Sequence, residues 1–298
     1  MPRTRIPGHI DIEYDVSGEG VPLLLIGGLG AQLISWDDAF RELLVERGYM
    51  VIRYDNRDSG LSSILDERGV PDLLGMLVGV GSPPYLLDDM ARDAVGLLDR
   101  LGIERAHVLG LSLGGMVAQV LALNYPERVT SLVAALSGPA GRPSEIPAAE
   151  VVEALLQPPR SDFDERVVGA VALRRALAGE GDGFDPADAE RRARVQIARA
   201  YNPAGTMRQA AAVLGTPNRL ADLGRITVPA MVIHGELDPL VPYASAKAAA
   251  EAIPGAVFAG IPNLGHDLPA HVALELVGQM SEFHARAAQS RQRPANTT

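Results

Sequence analysis

The feature that most constrains the fold lies at residues 107–116, with the sequence HVLGLSLGGM. A short apolar run ends there in the pattern G-x-S-x-G, and an apolar stretch with helical spacing follows directly. This arrangement is typical of a nucleophile elbow, a sharp turn from a strand into a helix with a serine at its tip. Ser112 would be strained, and Gly110 and Gly114 would leave room for neighbouring backbone. The motif alone also fits an ordinary glycine-rich turn, so the hypothesis depends on partners elsewhere in the chain.

Apolar runs of strand length alternate with helical patterns on both sides of this motif. The predicted strands cover residues 10–16, 21–26, 49–54, 106–109, 129–136, 228–234 and 256–261. Predicted helices lie near residues 36–44 (with Ser35 as N-cap), 90–101, 116–121, 245–252 and 272–283. Residues 66–86 look irregular, as a buried connection or a flap over a site. The alternation predicts an α/β protein with a mostly parallel, doubly wound sheet.

The alternation is interrupted once. Residues 139–224 are rich in Ala, Arg and Glu with helical periodicity, which predicts a helical cap, or lid, inserted after the strand that follows the elbow helix. The core would then comprise residues 1–138 and 225–288. Residues 289–298 have the composition of a disordered tail.

A serine hydroxyl needs a general base within hydrogen-bond reach, and the base needs an acid to orient it. With an elbow of this kind, the acid and then the histidine come later in the chain, at the same sheet edge. Of six histidines, His266 lies on a loop between the last predicted strand and helix, which makes it the candidate base. The others are poorly placed or have a packing role: His9, His107, His234, His271 and His284.

The candidate acid follows the predicted strand 228–234, where both Glu236 and Asp238 are available. We favour Asp238 because its place before Pro239 suits a tight turn that aims a carboxylate across the site. The strand after the elbow ends without a carboxylate, at residues 137–141 (SGPAG), so it offers no alternative acid.

The tetrahedral intermediate of acyl transfer needs hydrogen-bond donors for its oxyanion. The backbone N–H of Leu113, at the start of the helix, is one candidate donor. The second should come from the loop after strand Val21–Ile26, and Leu29 is our candidate. The neighbouring glycines at 27, 28 and 30 would let the backbone approach a substrate, although they also fit simple turn formation.

Composition narrows the class of function. The formal net charge of −10 argues against a nucleic-acid surface. The absence of cysteine excludes disulfides, thiolate metal sites and cysteine nucleophiles. The apolar stretches are too short for a membrane span, and no secretory signal is visible, so we expect a cytoplasmic location. No metal-binding spacing is evident, no cofactor is predicted, and the sequence leaves monomer and homodimer open.

With these residues in place, the chain resembles the α/β-hydrolase superfamily over nearly its whole length apart from the cap and tail. Within it, the chain is similar to esterases of the aclacinomycin methylesterase type. Three segments carry the resemblance: VIRYDNRDSGLS at 51–62, GLSLG at 110–114 and GHDLP at 265–269. One departure is Gly27-Gly28, where many relatives have His-Gly, and it bears on the rigidity of that loop.

The resemblance implies a catalytic triad of Ser112, Asp238 and His266, in the family order. It also implies a structural role beside the elbow for Asp55, Arg57 and Asp58. The predicted function is a carboxylesterase-type serine hydrolase that cleaves an ester of a hydrophobic small molecule through an acyl-enzyme on Ser112.

Several alternatives remain open from the sequence. The same triad could serve a lactonase, an amidase, a C–C bond hydrolase or a perhydrolase, and a homologue could bind a ligand without catalysis. A dinucleotide-binding protein is a further class, because Gly28 and Gly30 follow a strand and Asp55 ends the next one. However, Leu33 stands where the G-x-G-x-x-G pattern requires its third glycine.

Overall fold

The computed structural model describes residues 1–8, 10–143, 147–155 and 157–292. His9, considered above, lies outside them. The described residues form an eight-stranded sheet with the order β1-β2-β4-β3-β5-β6-β7-β8. The strands are β1 Arg3–Ile6, β2 Ile10–Ser17, β3 Val21–Ile26, β4 Tyr49–Tyr54, β5 Ala106–Leu111, β6 Val129–Ala135, β7 Ala230–Gly235 and β8 Val257–Ile261.

The sheet is mixed at one edge and parallel elsewhere. Strand β1 pairs antiparallel with β2, and β2 pairs antiparallel with β4. All the other neighbouring strands pair in parallel. The predicted α/β class with a mostly parallel sheet is therefore confirmed. Strand β1 is absent from the predicted strands because its exposed, charged residues carry little of the apolar signal of a buried strand.

Ten α-helices occur in the described part of the chain. They are α1 Asp38–Glu46, α2 Leu73–Leu77, α3 Leu87–Arg100, α4 Leu113–Asn124, α5 Ala149–Leu155, α6 Phe163–Ala178, α7 Pro186–Arg199, α8 Pro203–Gly215, α9 Tyr243–Ala252 and α10 Ala270–Gln292. None of these described helices is both long and apolar enough to cross a membrane.

The core lies on both faces of the sheet because successive side chains of a strand point to opposite sides. In β3, Leu24 and Ile26 join an apolar cluster with helices α3 and α4. Leu23 and Leu25 join a second cluster with α1 and α10. The central strands are covered on both sides, which explains their continuous apolar runs.

One predicted element boundary differs in the structure. Ser35 does not cap α1, because it ends a short 3₁₀ helix over Leu33–Ser35. The N-cap is Asp37, whose carboxylate accepts a hydrogen bond from the Phe40 amide at 2.9 Å. Asp37 competes better because its carboxylate also lies at the positive end of the helix dipole.

Two further segments are more helical than predicted. Residues 66–86 include α2, which Asp72 caps by accepting from the Gly75 amide at 3.0 Å. Helix α10 continues to Gln292, past the predicted start of the tail at residue 289. The rest of the predicted tail, residues 293–298, lies outside the described residues.

Helices α5 to α8 lie between β6 and β7, within the segment predicted to form a cap. The division into cap and core stays a prediction, but the attachment of these helices is visible. The carboxylate of Asp55, after β4, pairs with Arg199 of α7 at 2.8 Å. Asp58 accepts both a 2.9 Å and a 2.7 Å hydrogen bond from Arg208 of α8. Buried charge pairs thus hold α7 and α8 to the sheet.

Candidate active site

Ser112 lies at the turn between β5 and α4, at the carboxyl end of the sheet. Its backbone angles are φ 55° and ψ −118°, an unfavourable region for a residue with a side chain. Its amide is held by a 2.8 Å hydrogen bond to the Ala135 carbonyl. A Cβ atom on Gly110 would overlap the backbone of Gly114, and one on Gly114 would overlap the Ile26 carbonyl. The tight turn therefore needs hydrogen at both positions.

The structure brings His266 against Ser112. The His266 Nε2 atom lies 2.9 Å from the Ser112 hydroxyl oxygen. The opposite ring nitrogen, Nδ1, lies 2.7 Å from an oxygen of Asp238. Because a carboxylate can only accept, Nδ1 carries the proton and Nε2 is left to accept from the serine. The Ser112 hydroxyl therefore lies within hydrogen-bond distance of an imidazole that is itself held by a carboxylate.

The carboxylate of Asp238 is fixed at the turn after β7. One oxygen accepts from the Leu240 and Val241 amides at 2.9 and 2.8 Å, and the other faces His266. Burial by itself would raise the pKa of Asp238, but the interactions with His266 and His234 outweigh it and hold that pKa well below its usual value. Glu236, the alternative acid, is exposed.

His234 is a neighbour of this site that the sequence analysis assigned only a packing or turn role. It is buried on β7, and its Nε2 atom lies 2.9 Å from the Val241 carbonyl and 3.2 Å from an oxygen of Asp238. The turn after β7 brings Asp238 back over the end of that strand and into contact with His234. The four-residue spacing between His234 and Asp238 is visible in the sequence, but it indicates a contact only when the conformation of the turn between them is known.

His107 and His284 lie together near the other end of β5. His107 is the second residue of that strand, and its ring contacts that of His284 with centroids 3.9 Å apart. His271 is exposed near the start of α10. Among the described histidines, only His266 is hydrogen-bonded to the serine.

The glycine loop, residues 27–31, lies beside Ser112. A Cβ on Gly28 would lie 3.5 Å from the Ser112 Cβ. The Gly30 amide donates to the side chain of Gln209, and the Ala31 amide donates to the Gly28 carbonyl. No residue in the described part of the chain accepts from the Leu29 amide. The Leu113 amide, in the first turn of α4, has no carbonyl four residues behind it within the helix. Leu29 and Leu113 thus keep donors available at the site.

A cavity of about 590 Å³ opens over Ser112 and His266. Its size is that of a pocket for a small organic molecule. Much of the wall is apolar, and helices α5 and α6 supply part of it. The apolar lining includes Leu29, Trp36, Phe40, Leu136, Leu155, Leu173, Leu177, Leu240 and Leu268.

The arginines of the cavity wall are paired. Arg174 of α6 makes two 3.1 Å hydrogen bonds to Asp267, the residue after His266. Arg192 of α7 bonds to Asp188 at 2.7 Å and also pairs with Asp37. The described wall therefore presents neutralised charge pairs rather than a free guanidinium.

Two other site types find little support. In the described part of the chain, no group of three or more His, Cys, Asp or Glu side chains is placed to hold a metal. The Asp55 carboxylate, which a dinucleotide site would offer to a ribose, is fully buried and accepts from the Leu33 and Leu61 amides besides pairing with Arg199. These bonds give Asp55 the structural role that the resemblance implied.

Arg57 and Asp58 are also engaged in structural contacts. Arg57 forms a bidentate pair with Asp93 of α3, at 2.6 and 2.7 Å. Asp58 accepts from Tyr85 at 2.9 Å besides its pair with Arg208. The segment after β4 therefore connects the loop beside the elbow to α3 and α8.

Comparison with known proteins bears on this geometry. The family model described as the alpha/beta hydrolase fold matches residues 21–269. The chain is 34% identical over 286 residues to rhodomycin D methylesterase DnrP from Streptomyces peucetius, covering 90% of this chain and 91% of that protein. It is 30% identical over 272 residues to a putative carbamate hydrolase, RutD, from Variovorax paradoxus, covering 88% and 90%.

A solved structure agrees in fold. The crystal structure of a hydrolase from Pseudomonas aeruginosa PA01 is similar with a TM-score of 0.72 and 30% identity, over 95% of this chain and 97% of that one. The predicted resemblance to methylesterases of the aclacinomycin type is confirmed by a methylesterase relative that covers most of the chain.

Proposed function

Because this chain belongs to the alpha/beta hydrolase fold family, we propose that it is a serine hydrolase that cleaves a carboxylic ester of a neutral, hydrophobic small molecule. The observation that carries the proposal is His266, which bridges Ser112 at 2.9 Å and Asp238 at 2.7 Å beneath an apolar cavity. Ester cleavage is preferred over other acyl transfers because a methylesterase is among the relatives.

In the proposed reaction, the Ser112 oxygen attacks the carbonyl carbon of the ester while His266 Nε2 takes the serine proton. Asp238 holds the imidazole and stabilises the positive charge that forms on it. The intermediate then collapses, the alcohol leaves with the proton from His266, and an acyl-enzyme remains on Ser112. Water, deprotonated by the same histidine, cleaves that acyl-enzyme.

We propose that the backbone amides of Leu113 and Leu29 donate hydrogen bonds to the oxyanion. The first turn of α4 adds the positive end of its helix dipole at the same place. Such preorganised donors stabilise charge that appears only in the transition state, which is why they accelerate the reaction.

The proposed substrate is neutral because the wall offers paired rather than free arginines. A substrate carboxylate near Arg174 or Arg192 would have to compete with Asp267, Asp188 and Asp37, which already occupy those guanidinium groups. The leucine-lined wall favours an apolar acyl or alcohol group.

The test is a substrate panel with purified protein and its Ser112→Ala variant. We expect hydrolysis of neutral p-nitrophenyl esters of medium acyl length and of aromatic methyl esters, and loss of this activity in the variant. Preference for short, charged acids would contradict the substrate class. Faster cleavage of lactones, amides, carbamates or C–C bonds would reassign the reaction, and the absence of turnover on any compound would favour ligand binding without catalysis.

A further inference from the structure

The glycine loop beside Ser112 is held by a glutamine from helix α8. Gln209 is completely buried. Its side-chain oxygen accepts from the Gly30 amide at 2.8 Å, and its side-chain nitrogen donates to the Arg57 carbonyl at 2.7 Å. The side-chain amide of Gln209 therefore connects helix α8, the glycine loop and the segment after β4.

The contact fixes the orientation of a particular peptide plane. The Gly30 N–H belongs to the rigid peptide unit that it shares with Leu29. Holding that N–H toward Gln209 sets the direction of the Leu29 carbonyl and restricts the backbone at Leu29, whose own N–H lies one residue earlier. The same bond removes the Gly30 amide from the donors available to a substrate.

The loop is also pressed closely against α8. Gly30 has a positive φ of 66°, and a Cβ atom there would lie 2.8 Å from the Thr206 hydroxyl. The loop therefore has glycine where α8 approaches, and Gln209 provides the polar contact across the same junction.

We propose that Gln209 is a positioning residue for the ester hydrolysis proposed above. It holds the Leu29–Gly30 peptide so that the Leu29 amide, and not that of Gly30, faces the oxyanion. The inference rests on the proposed function of this site. It assigns to α8 a part in the chemistry although Gln209 does not touch the substrate.

The chain offers a matched control in Gln119 of α4. Gln119 is also completely buried. Its oxygen accepts from the Ala140 amide at 2.8 Å, and its nitrogen donates to the Gly138 carbonyl at 2.9 Å. Replacement by methionine removes the same two kinds of bond at both sites, but only Gln209 holds the glycine loop.

The experiment measures kcat and KM with p-nitrophenyl butyrate, the Ki of an alkyl trifluoromethyl ketone, and the melting temperature. A trifluoromethyl ketone forms a tetrahedral adduct with a serine nucleophile, so its oxygen tests the oxyanion donors. Removal of an oxyanion donor costs about 10²–10³-fold in kcat, and we expect displacement in Gln209→Met to cost less, about 10–100-fold. KM should stay within about 3-fold, and Ki should rise in parallel with the fall in kcat/KM.

Three further variants complete the test. Gln209→Glu keeps an oxygen acceptor for the Gly30 amide and, with its buried carboxyl group protonated, a donor for the Arg57 carbonyl, so this variant should recover most of the kcat. Gln119→Met should lose stability much as Gln209→Met does, yet keep kcat within about 3-fold of the wild-type value. Gln209→Asn keeps the amide but is too short to reach both partners, so its kcat should fall as well.

The proposal is overturned if folded Gln209→Met retains the wild-type kcat and Ki, or if Gln119→Met lowers kcat equally. If Gln209→Met does not fold, Gln209→Asn decides: a wild-type kcat in that variant overturns the proposal. Failure of the wild-type protein to hydrolyse the ester would instead contradict the proposed function, so the two failures are distinguishable.

Discussion

Two pairs of histidines lie at opposite ends of the central sheet, and they differ in what surrounds the imidazoles. At the carboxyl end, His234 and His266 both contact the carboxylate of Asp238, at 3.2 and 2.7 Å. At the amino end of β5, His107 and His284 contact each other, with ring centroids 3.9 Å apart. The first pair lies around an anion, whereas the second pair consists of two imidazoles in contact, with their planes inclined by 31°.

Each imidazole of the second pair lies within hydrogen-bond distance of a neutral hydroxyl group. His107 Nδ1 lies 2.7 Å from the Ser131 hydroxyl, and His284 Nδ1 lies 2.7 Å from the Tyr49 hydroxyl. Burial and the neighbouring His107 lower the pKa of His284 to about 3. The two pairs therefore differ in their surroundings: a carboxylate lies between the first two imidazoles, whereas burial and, to a smaller extent, the neighbouring His107 oppose a positive charge on His284.

The largest effect should follow from loss of the nucleophile at the carboxyl end. In Ser112→Ala, no atom can form the acyl-enzyme, and we expect kcat to fall by about 10⁵–10⁶-fold. Stopped assays with p-nitrophenyl butyrate measure the loss, and circular dichroism checks that the variant is folded. A residual activity above about one hundredth of the wild-type value would contradict the proposed role of Ser112.

Removal of the negative charge of Asp238, which distinguishes the first histidine pair from the second, should have the next largest effect. Asp238→Asn keeps the size of the side chain but favours the wrong tautomer of His266, so we expect kcat to fall by about 10⁴-fold. Steady-state kinetics of Asp238→Asn and of the exposed control Glu236→Gln measure it. Equal losses in both variants would mean that the choice between these two acids is wrong.

The pair at the amino end should govern acid stability instead of activity. The folded-state pKa of His284 lies below its ordinary value of 6.5, so the unfolded chain binds protons more readily. This contribution to stability is present above pH 6.5 and is lost as the pH falls from 6.5 towards 3. The full difference corresponds to about 5 kcal/mol in the free energy of unfolding.

His284→Gln tests this prediction because glutamine can still bond to Tyr49 but does not titrate in this range. Urea unfolding at a series of pH values should show a smaller loss of stability with acid in the variant than in the wild type. Identical slopes in the two proteins would show that His284 does not contribute to acid unfolding.

The smallest effect should come from the second histidine at the carboxyl end. In His234→Gln, Asp238 keeps His266 and two backbone amides, so we expect kcat to fall by no more than about 10-fold, in line with a hydrogen bond worth about 1 kcal/mol. The measurement is kcat beside melting temperature. A loss as large as that of Asp238→Asn would show that His234 is as important to the site as the acid.

The sequence indicated the parts of the fold that have a strong local signal. Buried strands such as Val21–Ile26 appear as apolar runs, and the elbow combines a strand, glycines and a helix within ten residues. The order of elements then placed Ser112, Asp238 and His266 at one sheet edge, where the structure brings them together. Their catalytic roles stay predictions.

What the sequence could not indicate depends on contacts between distant segments. Gln209 meets Gly30, 179 residues earlier in the chain, and no local pattern marks such a pair. Strand β1 pairs at an exposed edge and lacks an apolar run. The preference for Asp37 over Ser35 as N-cap depends on where the short 3₁₀ helix ends. The few residues around that point do not determine it.

Covalent labelling can show whether His266 activates the hydroxyl of Ser112. The purified protein is incubated with a fluorophosphonate, and the intact mass and the modified peptide are measured. We predict one adduct, located on Ser112 and absent from Ser112→Ala, with labelling slowed strongly in His266→Ala. An adduct on another residue, or no labelling of the wild-type protein, would contradict the account.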